Sequence, residues 1–498
     1  MLTHRALLNG LSGIVDQGTR ILVGFFLTPI LVSYLGPSVF GVWQVIQKVS
    51  IQLTALDGRS SEVLKWAIAN LQSKDDDTAK KQALAAALIC ALIFFPLLSL
   101  AYVIWVLYLP DYLNFKHIDA FEIQVAAIML FVNMMFMTIA AIIEAVVRGM
   151  NMAYKLVGVL ALVLVSSAVL TAYLVSSGYG LIYVAASQIS IGFLSLILYV
   201  YVAFGNINWL GVRMPEKPML YKALNRSAWF SSWGFINTWM LAGDVIVLGA
   251  LVGADVVSKY VLTLYAAQMI SVVILTAISA ALPGLGGLVG NHEFERADKL
   301  RRESILYSWC LGLAICTTVI VINPSFVSLW VGEEHFSGYE VNFFMAICVF
   351  QLLFIRHDAF MLNLALDIKQ KVLLGAVSAI VTLMLMLLLV PEYHLLGMCI
   401  SLLLGRSILT VMYPRIISKF FRSKELSVMK FRHHLFAIAL FIVAFELSQM
   451  VSIQSWILLV IYSISIMMSI LLIIYFIVIT NEQKNIVSNR FKIALRIR

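Results

Sequence analysis

A group of charged residues interrupts an apolar stretch near the N-terminus, in the segment ALDGRSSEVLK. Asp57, Arg59, Glu62 and Lys65 stand where continuous hydrophobicity is expected. Guanidinium and ammonium groups bind phosphate and carboxylate oxygens, and carboxylates inside a membrane carry protons or metal cations. These residue types therefore predict the binding of an ion or of an anionic group. Which of the two is bound depends on the helices that position these residues.

Helical spacing predicts that several of these residues share one face. An uncompensated charge that faces lipid near the bilayer centre costs at least about 3 kcal/mol. A polar face on an apolar helix is therefore expected to line a water-filled cavity or to contact a polar partner. The face expected on one continuous helix over 39–68 consists of Gln44, Lys48, Gln52, Arg59 and Glu62.

Further charges lie inside other apolar stretches, and from all of them we predict a substrate-binding set. Asp16 and Arg20 are spaced as an i,i+4 pair, so a structural ion pair is the alternative role for Arg20. The predicted set is Arg20, Lys48, Gln52, Arg59, Arg356 and Arg406. For Arg356 and Arg406, packing against Asp358 or against backbone is the alternative role.

Two carboxylates are candidates for coupling transport to an ion. Asp16 and Asp244 both lie within apolar spans, where a carboxylate can carry H⁺ or Na⁺, and salt bridges are the alternative. The five cysteines form no CxxC and the eight histidines are scattered, so no metal site is predicted. No cofactor is expected apart from the coupling ion.

Composition sets the class of protein that positions these residues. Of 498 residues, 62% are hydrophobic and 12% are charged, whereas soluble proteins carry about 25% charged residues. Apolar stretches follow one another almost to the C-terminus with short polar breaks. The chain is therefore expected to be an all-α polytopic membrane protein.

About 20 residues cross the hydrocarbon as a helix, and on this measure the chain contains about fourteen transmembrane helices. The predicted spans are 8–34, 39–68, 82–109, 121–147, 155–176, 180–204, 223–250, 254–282, 303–323, 341–366, 371–390, 395–417, 433–451 and 455–480.

Lys and Arg residues predict the orientation of these spans. With the N-terminus in the cytoplasm, 27 of the 35 basic residues fall on inward segments and Lys116 alone falls on an outward one. Both termini are then cytoplasmic, in a multi-pass protein of a bacterial cytoplasmic (inner) membrane. This bias, with anionic inner-leaflet lipid, accounts for the net charge of +9 without a nucleic-acid partner.

Short connections argue against catalysis. The longest outward loop, over about 323–341, is too small for a catalytic domain, and no GxxxxGK[ST] motif occurs. We therefore expect no enzyme activity. A polysaccharide polymerase or ligase is the least favoured alternative.

An internal repeat predicts how the helices are grouped. LGPSVFGVWQVIQKVSIQL (35–53) and VGADVVSKYVLTLYAAQMI (252–270) align Gly36 with Gly253, and each follows an apolar helix. Two charged inward loops, and the segments WVLYLP and WVGEEH, recur in the same order downstream. Two six-helix lobes are predicted, with a site between them. The predicted domains are an N-lobe (1–210), a C-lobe (211–425), and helices thirteen and fourteen with a basic cytoplasmic tail (426–498).

The chain resembles the multidrug/oligosaccharidyl-lipid/polysaccharide (MOP) exporter superfamily, in particular its polysaccharide-transporter branch of O-antigen and exopolysaccharide repeat-unit flippases. YLGPSVFGVW (34–43), LWVGEE (329–334) and the charged loop between helices two and three carry this resemblance, together with the fourteen-helix layout. It implies two lobes around a V-shaped central cavity and alternating access. It also implies transport of an undecaprenyl-pyrophosphate-linked oligosaccharide to the outer leaflet. Membrane lipid, a polysaccharide polymerase and other assembly proteins are the expected partners.

Two other functions remain open on the same fold. A cation-coupled multidrug antiporter would be expected to have an aromatic or acidic cavity with few embedded Arg or Lys residues. A lipid II flippase would use a cationic cavity like the one predicted here. Asp16 resembles, by its helix position alone, a functional aspartate of the drug/cation antiporters.

Overall fold

The computed structural model describes residues 2–72, 76–113, 119–290, 292–364, 368–421, 429, 431–480 and 484. Within these residues the chain is helical and has no strand, as expected where lipid cannot satisfy backbone hydrogen bonds. Lys74, Lys116 and most of the predicted basic tail lie outside the described residues. The helices are α1 (Leu2–Leu53), α2 (Ser60–Leu71), α3 (Asp77–Leu113), α4 (Ala120–Gly149), α5 (Val157–Ser176), α6 (Leu181–Asn206), α7 (Lys217–Leu251), α8 (Ala254–Gly290), α9 (Phe294–Trp330), α10 (Tyr339–Leu364), α11 (Ile368–Phe420), α12 (Phe431–Met450) and α13 (Trp456–Ile473).

The predicted all-α polytopic membrane fold is confirmed. Among the described residues, 11 helical segments are long and apolar enough to cross a membrane. Two of them are far longer than one crossing needs, and each contains a kink, at Gly36 in α1 and at His394 in α11. These kinks coincide with the turns predicted between spans one and two and between spans eleven and twelve. Each of the fourteen predicted spans overlaps a helix.

The chain divides into two compact units, Met1–Ser258 and Lys259–Arg498. In the first unit, α4 packs along α6, and α1 packs against α5 and α7. A core of small and aliphatic side chains joins α2, α3, α4 and α6, with Trp209 from the following linker. This linker is tied to the start of α3, because the backbone amide of Arg213 donates to the carbonyl of Lys81. The predicted lobe boundaries remain a prediction.

Both repeat-related helix starts lie in the first unit and contact each other. Gly36 and Gly253 each have a positive φ, of 79° and 115°, and a helical segment begins after each. Ser38 donates a hydrogen bond to Asp255 Oδ1 at 2.5 Å. At Gly41 a Cβ atom would come within 2.0 Å of the Ala254 carbonyl oxygen, so only glycine permits this approach. The first pair of matching segments in the predicted repeat therefore also shares a local backbone geometry, a glycine of positive φ followed by a helix.

The second unit is organised around α9, which packs against α10, α12 and α13. Near the end of α9, the buried Asn323 donates to the Thr263 carbonyl of α8 and to Asn342 Oδ1 of α10, at 2.8 and 2.7 Å. Ser325 accepts from the Ile453 amide, which fixes the link between α12 and α13. Buried amide side chains thus join α8, α9 and α10.

Candidate functional site

The charged segment of the opening observation is a helix break. Helix α1 ends at Leu53, a 3₁₀ turn follows at Thr54–Asp57, and α2 begins at Ser60. Gly58 and Arg59 both adopt left-handed backbone conformations, with φ of 81° and 45°. The expectation of one continuous helix over 39–68 was therefore wrong, and the predicted polar face is divided in two.

Local chemistry explains the break. The Asp57 carboxylate accepts a hydrogen bond from the Arg59 backbone amide at 2.7 Å, which is the two-residue pattern of an Asx turn. Gly58 supplies the positive φ without a steric cost, and a Cβ there would come within 2.5 Å of the Phe94 ring of α3. Asp-Gly is a turn dipeptide even inside an apolar stretch.

Arg59 lies against α7. A Cβ on Gly234 would stand 2.9 Å from the Arg59 Nε, so the guanidinium stem passes directly over this glycine. The Nε atom is buried and has no hydrogen-bond partner among the described residues. Asp57 is close enough to interact electrostatically with Arg59, yet no ion pair within 4 Å joins the two side chains in the described structure. The guanidinium therefore keeps unused donors.

Gln52 contacts Phe235, the residue of α7 that follows Gly234. Its Nε2 donates to the Phe235 carbonyl at 3.0 Å, while its buried Oε1 has no partner among the described residues. Lys48 lies one helical turn earlier on the same face of α1 and is half-buried. Within the described residues it makes no hydrogen bond or ion pair. Gln52 and Arg59 thus meet neighbouring residues of α7, and Lys48 lies one turn before Gln52 on α1. Lys48, Gln52 and Arg59 are here called the break site, with Asp57 as the nearby carboxylate.

The break site is suited to an anion. Lys48 and Arg59 against Asp57 leave a net positive charge, and Arg59 donates in a planar fork that matches phosphate oxygens. The start of α2 adds the positive end of a helix dipole. Broken helices in transporters often aim such ends at anionic groups.

Glu62 and Lys65 do not belong to the break site. They form an i,i+3 ion pair with 2.5 Å between Lys65 Nζ and Glu62 Oε2, and both side chains are partly exposed. Helical spacing alone had placed Glu62 on the same face as Arg59. The backbone break at Arg59 removes that alignment.

Asp16 and Arg20 belong to a separate charged cluster of the first unit. Asp16 interacts electrostatically with Arg20 and with the α4 pair Glu144 and Arg148, whose Oε1 and Nε are 2.6 Å apart. Tyr199 of α6 faces the same charges. One Asp16 oxygen is buried without a hydrogen-bond partner among the described residues. Within the part of the chain that the structure describes, no hydrogen bond or ion pair joins this cluster to the break site.

The remaining predicted residues lie in different places. Asp244 is buried in α7, where its Oδ1 accepts from the Val245 amide at 2.9 Å. Arg406 is buried in α11. Among the described residues Arg356 in α10 forms no ion pair with Asp358, and the Asp358 Oδ1 lies 3.5 Å from His357 Nδ1.

Sequence reasoning missed several buried polar residues. Lys371 was assigned to an inward loop, yet it lies in the first turn of α11 and is 2% exposed. His357 is fully buried and shares a 2.7 Å hydrogen bond with Ser304 of α9. Lys371 stood out only as a polar residue at the edge of an apolar span, and His357 only as one between two charged residues inside a span. Among the described residues, no group of three or more His, Cys, Asp or Glu side chains could hold a metal ion.

Comparison with known proteins identifies the fold. The structure has the fold of MOP-superfamily transporters. No protein-family model matches the chain, and no curated protein matches its sequence. The similarities that establish the fold are therefore structural.

Two solved structures illustrate the range of this fold. A multidrug resistance MATE family transporter of the MOP superfamily, in an inward-facing conformation, is 14% identical with a TM-score of 0.65, covering 83% of this chain and 99% of its own. The lipid II flippase MurJ, in an inward closed conformation, is 13% identical with a TM-score of 0.66, covering 94% and 99%.

A third structure shows that pocket polarity varies on this fold. A MOP superfamily transporter from Pyrococcus furiosus is 13% identical with a TM-score of 0.59, covering 84% of this chain and 96% of its own. Its binding pocket is described as having a reversed polarity that suggests a different function. Side chains, rather than the fold, must therefore carry the functional argument for this chain.

Proposed function

We propose that this protein is a flippase that moves a polyprenyl-pyrophosphate-linked oligosaccharide, a polysaccharide repeat unit, from the cytoplasmic to the outer leaflet by alternating access. The observation that carries the proposal is the break site: Lys48 lies within an apolar span, Arg59 lies at the break that follows it, and neither has an ion-pair partner among the described residues. The protein would act in a bacterial cytoplasmic membrane with both termini inside. It would work beside a polymerase and other assembly proteins.

Electrostatics favours an anionic headgroup as the ligand. A cation in a low-dielectric environment raises the free energy of the protein unless an anionic partner compensates it, and a pyrophosphate can compensate both Lys48 and Arg59. Gln52 supplies neutral hydrogen-bonding capacity for a sugar hydroxyl through its unused Oε1. The lipid tail can stay in the bilayer while only the head crosses.

The same electrostatics weighs against the drug antiporter. A cationic drug would meet Lys48 and Arg59 with like charge, and Asp57 alone does not reverse the sign. A lipid II flippase shares the pyrophosphate chemistry of the proposal, so the two differ in the sugar. The test must therefore include both lipid-linked substrates.

Transport in proteoliposomes tests the proposal. Purified protein is reconstituted with labelled undecaprenyl-pyrophosphate-linked oligosaccharide, with lipid II, or with a cationic dye, and movement is followed with a membrane-impermeant probe. Lys48→Glu and Arg59→Glu should each slow oligosaccharide movement by about tenfold or more, since a charge-assisted hydrogen bond contributes about 1.5–3 kcal/mol.

The matched control is Lys217→Glu, because Lys217 is exposed at the start of α7 and outside the break site. This variant should transport like the wild type. Undiminished movement by both charge reversals would refute the role of the break site. Movement of lipid II alone would show that lipid II is the substrate. Movement of the dye alone would show that the protein transports cationic drugs. In cells, the two charge reversals should remove surface polysaccharide while the protein stays in the membrane.

Ion coupling is part of the proposal and is tested separately. Asp16→Asn and Asp244→Asn each remove a buried or partly buried carboxylate. If one of them carries H⁺ or Na⁺, its variant should transport at a rate that no longer responds to the corresponding gradient. A rate that responds to the gradients as in the wild type in both variants would exclude these two residues as coupling sites.

A further inference from the structure

The exposed side chains of α7 differ in kind from those of a neighbouring helix. No exposed position over 217–250 carries Leu, Ile, Val or Met. On α3, which packs against α7 in the same unit, the exposed positions over 92–107 are aliphatic apart from Phe95 and Pro96. Lipid tails favour a surface of the α3 kind, because hydrocarbon offers no partner to a polar side chain. The exposed surface of α7 is therefore expected to face something other than lipid tails.

Four exposed residues of α7 lie on one side of the helix. Asn225, Trp229, Ser232 and Phe235 are separated by four, three and three positions, which places them on one face. These four residues, here called the α7 face, extend over about 15 Å along the helix axis. Aromatic and hydrogen-bonding side chains alternate along it.

The side chains of the α7 face have surface and hydrogen-bonding groups to offer. Trp229 and Phe235 are 42% and 41% exposed, and neither ring stacks on another aromatic ring among the described residues. The Ser232 hydroxyl donates to the Ala228 carbonyl at 2.9 Å, so its oxygen can still accept. The Asn225 side chain makes no hydrogen bond with the part of the chain that the structure describes, so its amide can both donate and accept.

This combination of groups suits a sugar. One side of a pyranose ring presents C–H groups that pack against an aromatic ring, while its rim carries hydroxyl groups that need donors and acceptors. Ligand sites combine aromatic walls with a few placed polar groups in this way. Lys222 and Arg226, exposed on the adjoining surface of α7, would repel a cationic drug from the same rings.

The α7 face meets the break site at Phe235. The Phe235 carbonyl accepts from Gln52 Nε2 at 3.0 Å, and the Arg59 stem passes over the preceding residue, Gly234. A pyrophosphate bound by Lys48 and Arg59 would be covalently joined to the first sugar of the substrate. That sugar would therefore lie close to the Phe235 end of the face.

We propose that the α7 face binds the sugar residues of the lipid-linked substrate. The rings of Trp229 and Phe235 stack against sugar rings, and Asn225 and Ser232 form hydrogen bonds with hydroxyl groups. The face is longer than one sugar ring, so it can hold more than the first sugar. This inference rests on the proposed function, because that function supplies a sugar joined to the pyrophosphate.

Binding of two lipids that differ only in the sugar tests the inference. The full-length protein in nanodiscs of neutral lipid is titrated with undecaprenyl pyrophosphate, and with the same lipid carrying a trisaccharide of hexopyranoses. The trisaccharide lipid should bind the wild type about tenfold or more tightly than the bare lipid.

Variants of the two rings remove this gain selectively. Trp229→Leu and Phe235→Leu should each weaken binding of the trisaccharide lipid about three- to tenfold, because leucine is apolar but lacks an aromatic face. Both should bind the bare lipid like the wild type. Trp229→Phe keeps a ring and should retain most of the affinity for the trisaccharide lipid.

The matched control is Phe204→Leu, because Phe204 is an exposed aromatic residue of α6 in the same unit. It should bind both lipids like the wild type. Three results would overturn the inference: no gain in wild-type affinity from the trisaccharide, undiminished binding of the trisaccharide lipid by both leucine variants, or equal weakening for both lipids. The last result would show that the two rings anchor the helix in the membrane interface.

A second measurement does not depend on the folding of the leucine variants. In protein labelled with fluorotryptophan, the Trp229 signal is assigned by its loss in Trp229→Phe. This NMR signal should shift when the trisaccharide lipid is added, and should stay in place with the bare lipid. The same spectrum with both lipids would overturn the inference.

The outcomes also separate this inference from the proposed function. If Arg59→Gln weakens binding of both lipids while the Trp229 and Phe235 variants bind them normally, only the sugar site is refuted. If the ring variants lose the gain from the trisaccharide while Arg59→Gln binds both lipids like the wild type, the proposed role of the break site fails and the sugar site stands.

Discussion

Two arginines in the two units show how a structural cation differs from one that we propose binds a ligand. Arg301, near the start of α9, is 2% exposed, and its Nη1 lies 3.1 Å from Asp298 Oδ1. Arg59, at the break in the first unit, has no such ion pair within the described structure. The Nε of each is buried without a hydrogen-bond partner among the described residues, so the difference lies in how the charge is compensated. Arg301 is compensated by its own helix, whereas Arg59 has donors left for another molecule.

The surroundings of the two residues agree with this difference. Asp298 also pairs with Arg302, at 2.8 Å, so one carboxylate holds two guanidinium groups within one turn of regular helix. Arg59 instead has a left-handed backbone conformation, which costs a non-glycine residue about 1–3 kcal/mol and is typical of functional sites. Ion pairing explains the first arrangement, whereas in the second the Asp57 turn holds a backbone conformation that is itself unfavourable.

The largest expected effect on stability is at Asp298. Asp298→Asn should destabilise the protein by about 3–5 kcal/mol, because it leaves the buried Arg301 charge without its partner. Arg59→Gln removes a whole charge but should lower the stability far less, since no ion pair is lost there. Unfolding temperatures in detergent would measure both. A larger loss of stability for Arg59→Gln than for Asp298→Asn would reverse the comparison.

A smaller effect isolates the backbone at the break. Arg59→Asn and Arg59→Gln both remove the charge, but Asn tolerates a positive φ better. The Asn variant should therefore be more stable than the Gln variant by about 1 kcal/mol. Both should lose transport equally, because both lack the guanidinium. Equal stability of the two variants would show that the left-handed conformation carries no strain.

The smallest effect is expected at the exposed pair Glu62 and Lys65. Although its atoms are 2.5 Å apart, both side chains are partly exposed and water screens the attraction. Lys65→Ala should change stability by less than about 1 kcal/mol and should leave transport unaffected. A loss of transport in this variant would extend the functional region past the break, into α2.

The sequence was sufficient for the helices and for the turns that became the kinks at Gly36 and His394. Apolar runs of membrane length predict helices wherever lipid surrounds the chain, and Gly36 was recognised through its alignment with Gly253. The Asp57-Gly58 turn signal was present as well. It was not used, and the apolar residues on both sides led to the prediction of a continuous helix there.

The pairing of charges could not be predicted from the sequence. Spacing identified Asp16 with Arg20 and placed Asp358 close to Arg356, but tertiary packing decides which partner each charge meets. Arg148 of a distant helix joins the first pair, which spacing along α1 could not show. In the second, Asp358 lies nearest to its neighbour His357. Lys371 was hidden for the same reason, since a residue at the end of an apolar span can point to water or into the protein.

Direct binding of undecaprenyl pyrophosphate is the measurement closest to the central claim, that the break site holds an anionic headgroup. Affinity is compared among the wild type, Arg59→Gln and the exposed-residue control Lys217→Gln, each in nanodiscs of neutral lipid. We predict that Arg59→Gln binds about tenfold or more weakly, while the control binds like the wild type. Equal affinity of the wild type and Arg59→Gln would contradict the claim.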